Sequence, residues 1–121
     1  MIVPKIIDYH SADIDEIWNW DPSPSQEIFV NVEFVIGAGE SEAGDTFQAM
    51  IVNTSALQKR VTGKTILDLR GYLLVQEFNW NNILTYVEKI ATDCKGETWE
   101  EVAHKLSKRL LWEYEDHEYI D

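Results

Sequence analysis

Gly96–Asp116, GETWEEVAHKLSKRLLWEYED, is the stretch whose reading decides the fold. A glycine such as Gly96 supplies the positive φ with which helices commonly close. Thr98 and Glu101 then stand three apart, the spacing of a capping box that opens a new helix. Apolar residues follow at Trp99, Val102, Ala103, Leu106 and Leu110, at i, i+3, i+4, i+7 and i+11. These form one continuous helix face, and that face needs a surface to cover. From Trp112 the helical period is lost, and the chain runs into Glu113, Tyr114, Glu115 and Asp116.

Working back from Gly96, a second stripe appears at Trp80, Ile83, Leu84, Val87, Ile90, Ala91 and Cys94. Asn79 is placed to cap that helix, and Lys95 falls in its expected last turn. The covered surface is a sheet. In residues 26–36, Ile28, Val30, Val32, Phe34 and Ile36 alternate with Glu27, Phe29, Asn31, Glu33 and Val35, the period of a strand. The loop GAGESEAGD (37–45) and a returning strand, 46–53, complete an antiparallel hairpin. Residues 2–9 read as a first strand, with Pro4 marking its start or an edge. Ser11 or Asp13 caps a short helical turn carrying Ile14, Ile17 and Trp18, and Asp21-Pro22-Ser23-Pro24 makes a turn. Thr54 or Ser55 caps a short helix to Val61. Residues 65–70 fit no class, and 72–78 is a further strand. Strands followed by helices give an α+β fold: an antiparallel sheet of about four strands with two C-terminal helices packed on one face, in one domain spanning 1–121. The other face is expected to be partly open.

Composition narrows the function. The chain of 121 residues is 45% hydrophobic with five Trp, a globular composition that can fold without a staple. Cys94 is the only cysteine, so no internal disulfide forms, which fits a reducing compartment. No apolar run approaches the ~18 residues of a membrane span, so a cytoplasmic protein is expected. The net charge is −12. Residues 1–57 contribute −9 of it and residues 58–121 contribute −3. Such a field repels nucleic acid and anionic membranes and speeds association with a basic partner.

Catalytic patterns are lacking. His10, His104 and His117 are far apart, and no metal-spaced pair, nucleophile elbow or phosphate loop occurs. Neither a cofactor nor a catalytic residue is assigned. Glu40, Glu42 and Asp45 lack the spacing of a calcium loop and read as a solvated hairpin tip. Cys94 continues an apolar stripe and reads as a buried thiol. Acids mixed with aromatics, in contrast, suit a protein interface, where charge steers and aromatic rings anchor. Trp18 and Trp20 precede a Pro turn, and a loose turn exposes one of them. The candidate partner-binding residues are Trp18, Trp20, Asp21, Glu40, Glu42, Asp45, Glu113, Glu115, Asp116 and Glu118.

The chain resembles a known family, the immunity proteins of bacterial polymorphic toxin systems, and specifically immunity protein family 8. The likeness lies in GETWEEVAHKL (96–106), the ending WEYED (112–116), YLLVQEFNWNNI (72–83) and the early Asp13-Ile14 and Trp18. The resemblance implies an α+β protein, encoded beside a toxin, that binds the toxin's catalytic domain and blocks it inside the producing cell. It carries no binding residues over to this chain. Many toxins of such systems are nucleases with basic clefts, so an acidic inhibitor that mimics the nucleic-acid backbone is the expectation. Two alternatives compete with it. One is a small enzyme or ligand-binding domain using carboxylates on the open sheet face, such as Glu33 or Glu77. The other is a subunit that self-associates through an edge strand.

Overall fold

The structure, a computed structural model, describes residues 1–39 and 43–114. Five strands form one sheet: β1 (Lys5–His10), β2 (Phe29–Gly37), β3 (Asp45–Val52), β4 (Tyr72–Leu74) and β5 (Leu111–Trp112). Three helices accompany them: α1 (Thr54–Val61), α2 (Trp80–Asp93) and α3 (Trp99–Ser107), with a 3₁₀ turn at Ile17–Asn19. The strand order is β1-β2-β3-β4, and β5 also pairs with β3. The β2–β3 hairpin runs antiparallel from Phe29↔Val52 to Ile36↔Asp45, and β1 pairs antiparallel with β2. The α+β expectation therefore holds, with one addition: β4 runs parallel to β3. The crossover that permits this is α1 and the segment after it.

The sheet has one buried face and one half-open face. Val30, Val32, Phe34 and Ile36 of β2 and Phe47, Ala49 and Ile51 of β3 are buried. Against them pack Trp80, Ile83, Val87, Ile90 and Ala91 from α2 with Cys94 just beyond it, and Val102, Ala103 and Leu106 from α3 with Leu110 just beyond it. Both helical stripes thus cover the alternating face of the hairpin. Each fully buried Leu or Ile contributes about 1.5–3 kcal/mol in this setting. On the opposite face Phe29, Asn31, Glu33 and Val35 are only half-buried. There, Arg60 from α1 lays its guanidinium 3.7 Å from the centre of the Phe29 ring.

Local capping is as expected for the two long helices. The Asn79 side chain accepts from Asn82 N–H, and Thr98 accepts from Glu101 N–H. Several other expectations need correction. Gly96 does not adopt a positive φ; among the described glycines only Gly39, Gly63 and Gly71 do. It instead bridges to Ile2, donating N–H to the Ile2 carbonyl at 3.0 Å and accepting from Ile2 N–H at 2.6 Å. A Cβ at position 96 would press on Glu101, 3.0 Å from its Cδ. Lys95 lies beyond α2, which ends at Asp93, so it adds nothing to that helix's last turn. Glu101 reaches back to the Glu97 N–H rather than to that of Thr98. Asn53, not Thr54 or Ser55, caps α1 by accepting from Ala56 N–H. The strand expected over 72–78 is only three residues long, because Val75 makes the last bond to β3.

The edge of β3 is shared end to end. Phe47 and Gln48 pair with β5, and Met50 to Val52 pair with β4. Gly71 sits at the seam with φ +83°, and a Cβ there would lie 2.7 Å from Leu111. Glycine alone fits that close approach without strain.

Candidate functional site

The candidate residues fall into two groups that look alike in sequence and differ in structure. The first belongs to the C-terminal stretch. Asp45, at the start of β3, takes two indole donors on one oxygen: Trp99 Nε1 at 2.9 Å and Trp112 Nε1 at 3.1 Å. Trp112 also stacks on Phe47, with centroids 6.2 Å apart and planes 12° apart. Glu113 accepts from Thr46 N–H through Oε1 at 2.7 Å, while its own N–H donates to the Thr46 carbonyl. Both acids thus fasten β5 to β3. Tyr114 follows, half exposed, with its ring edge-on to Trp112. Glu40, Glu42, Glu115, Asp116 and Glu118 lie outside the described residues.

The second group is the segment between β1 and β2. Ser11 is buried and pins the segment's start. Its Oγ donates to the Asn31 carbonyl at 2.6 Å and accepts from the N–H groups of Asp13 and Ile14. Asp13 accepts from Asn31 N–H at 2.8 Å. These side chains serve the β2 backbone beyond the last β1 pair, His10↔Glu33. Glu16 then adopts φ 49° and ψ 54°, a left-handed conformation unusual for a residue with a Cβ. That kink turns Ile17 fully into the core and leaves Trp18 48% exposed. Around Trp18, the carboxylates of Asp15, Glu16 and Asp21 have no hydrogen-bond or ion-pair partner among the described residues. Trp20 is half-buried and packs edge-on to Phe78, with centroids 4.7 Å apart. The expectation that a loose turn exposes one of the two tryptophans holds for Trp18.

An aromatic chain supports Trp18 from below. Its ring meets Tyr9 edge-on at 6.2 Å, Tyr9 lies 4.9 Å from Trp80, and Trp80 stacks on Phe34. A large ring held this way loses little freedom when it is covered, which is the property of an interface anchor. The exposed ring and the unpaired carboxylates together form an apolar knob within negative charge. The capping role expected of Ser11 or Asp13 appears as the Ser11 bonds to the Asp13 and Ile14 N–H groups, whereas the bonds of both side chains to Asn31 reach across to β2, which no local pattern announces.

On the half-open face His10 Nε2 lies 2.8 Å from Glu33 Oε2, and Asn31 Nδ2 donates to Gln48 Oε1 at 3.0 Å. Glu33, one of the two carboxylates considered for catalysis, is thus held by a neighbour. No group of three metal-ligating side chains occurs among the described residues. Burial pushes the Cys94 thiol up, away from the thiolate form that reacts. No helix among the described residues is long and apolar enough to cross a membrane.

No curated protein and no solved structure matches the chain. The family described as Immunity protein 8 matches residues 5–117, from the first residue of β1 to beyond the last described strand. The WEYED ending and the helix before it fall inside that span, as do the Trp18 knob and the Asp45 bracket, and the chain belongs to the Immunity protein 8 family.

Proposed function

We propose that this chain protects the cell that makes it by binding the catalytic domain of the toxin encoded beside it and blocking that domain's activity. The observation that carries the reading is membership of an immunity-protein family over nearly the whole length. The net charge of −12 supports it, as does an exposed, supported Trp18 among unpaired acids. Trp18 is the anchor in this reading, Tyr9 and Trp80 are the support beneath it, Trp20 sits beside it against Phe78, and Asp21 belongs to the steering field. Glu40, Glu42, Glu115, Asp116 and Glu118 extend that field. Asp45 and Glu113 contribute through the scaffold, since their carboxylates hold internal bonds.

The partner is basic, and a nuclease with a phosphate-binding cleft is the target class that this charge fits best. Carboxylates placed over such a cleft occupy the positions of phosphates and raise the rate of encounter. The chain acts by binding rather than by catalysis, in the cytoplasm. Co-expression with the neighbouring toxin tests the reading. Rescued growth, with a complex whose association rate falls steeply as salt rises, is expected. Unrelieved toxicity and no complex would sink it.

A further inference from the structure

β1 and β4 are the terminal strands of the sheet order, and the β4 edge has a cleft beside it that α2 helps to form. β4 pairs with β3 on one side only, and nothing among the described residues pairs on its other side. In the parallel register, Met50 N–H donates to the Gly71 carbonyl and Val75 N–H donates to the Val52 carbonyl. Backbone groups alternate in direction along a strand, so Leu73 turns its pair toward β3 and Leu74 turns its pair away. Tyr72 N–H is used in a turn to the Leu69 carbonyl, whereas its own carbonyl faces outward with that of Leu74. The Leu74 side chain is 60% exposed.

A cleft of about 400 Å³ opens beside this edge, against the first turns of α2. Tyr72, Leu74, Glu77, Asn82, Ile83 and Tyr86 are among its walls. Glu77 is shared with a second cleft of about 450 Å³, which runs to Asp21, Pro22 and Phe78 beneath the Trp18 segment. The charged residues lining the two clefts are Glu77 and Asp21, and among the described residues no Lys, Arg or His lines either. A cation stands at the α2 end, where Arg109 Nη2 is 3.4 Å from the Tyr86 hydroxyl.

We propose that the β4 edge and this groove receive an extended, basic segment of the cognate toxin domain, which joins the sheet as a sixth strand. The proposal rests on the toxin-binding reading above and names the surface and the mode of contact. The free Leu74 N–H and C=O and the Tyr72 carbonyl accept a strand, and a docked helix cannot use them. Alternate residues of the added strand point toward Ile83 and Tyr86, while the residues between them lie along Leu74. The carboxylates of Glu77 and Asp21 select lysine or arginine at the flanks. Because β4 is only three residues long, the strand bonds are few. Glu77 lines both clefts, so the strand bonds and the Asp21 carboxylate border one groove.

The test uses the full chain and the neighbouring toxin domain, inactivated by substitution of its own catalytic residue. Leu74→Pro removes the outward N–H and leaves the bonds to β3, and it weakens binding roughly tenfold or more. Leu74→Ala keeps that N–H and stays within roughly threefold of the parent. In the parent complex the Leu74 amide exchanges with solvent markedly more slowly than in the free chain. If Leu74→Pro fails to fold, this exchange measurement and Glu77→Lys, expected to weaken binding several-fold, decide instead. A parent complex that forms while Leu74 exchanges as fast as in the free chain overturns strand addition and leaves the toxin-binding reading standing. Protection of Leu74 in the chain alone, growing with concentration, overturns it in favour of a second copy of the chain at this edge. No complex with the parent chain overturns both readings.

Discussion

The chain has two segments that each carry a pair of tryptophans among carboxylates, and they have opposite fates. In residues 96–114, Trp99 and Trp112 turn their N–H groups inward onto Asp45, and Glu113 ties its strand to Thr46. In residues 11–21, the carboxylates of Asp15, Glu16 and Asp21 have no partner among the described residues, and Trp18 stands on the surface. The difference comes from what lies across from each. β5 lands on an open stretch of β3 whose first residue is an aspartate within reach of both indoles. The 11–21 segment leaves the sheet at His10, and the hydrogen bonds it makes to the sheet go to the backbone of Asn31 through Ser11 and Asp13. Composition alone therefore does not separate scaffold from surface; the presence of a facing partner does.

The comparison can be broken most severely at the scaffold. Leu106→Ala empties a fully buried site under the sheet and costs about 3–4 kcal/mol in urea unfolding. A cost below that of a surface change would mean that α3 does not hold the core. Asp45→Ala strands two indole donors, and about 2–3 kcal/mol of stability is lost. Asp45→Asn, which keeps an acceptor, loses less. If Asp45→Ala instead leaves stability unchanged and weakens toxin binding, the two segments have been assigned the wrong way round. Trp18→Ala has the reverse signature: about 2 kcal/mol of binding free energy is lost, read as roughly 30-fold in Kd, with little change in the unfolding midpoint. Glu16→Gly is the smallest effect. It relieves the left-handed backbone and stabilises the fold by about 0.5–1 kcal/mol, provided that the kink persists in the variant.

Much of this architecture is legible in the residues because it is local. The stripes of α2 and α3 follow from spacing, and the caps at Asn79 and Thr98 need only a side chain and the next turn. The β2–β3 hairpin needs only alternation and a glycine-rich connection. The parts that are not legible depend on distant partners. Gly96 looks like a helix stop, yet its requirement comes from Ile2 and the side chain of Glu101. The apolar alternation after Tyr72 suggests a long strand, yet in the parallel register Leu74 already faces Val52, where β3 ends and the chain turns into α1, so β3 offers nothing for residues 76–78 to pair with. Trp99 begins a clean apolar stripe and still ends half-buried, since its indole must reach Asp45. At the proposed docking surface, the acids and Trp18 could be picked out from residue type. The split between engaged and free carboxylates could not.

The Asp45 bracket also has a place in time. Its two bonds join residues 54 and 67 positions apart along the chain, whereas the β2–β3 hairpin closes over a short loop. Contacts between distant positions form after near ones, because their loops cost more to close. During synthesis, β1, the Trp18 segment and the hairpin can assemble while Asp45 still waits for Trp112 to leave the ribosome. The Trp18 knob can thus be built before the molecule is locked, and the lock is set only when Trp112 arrives.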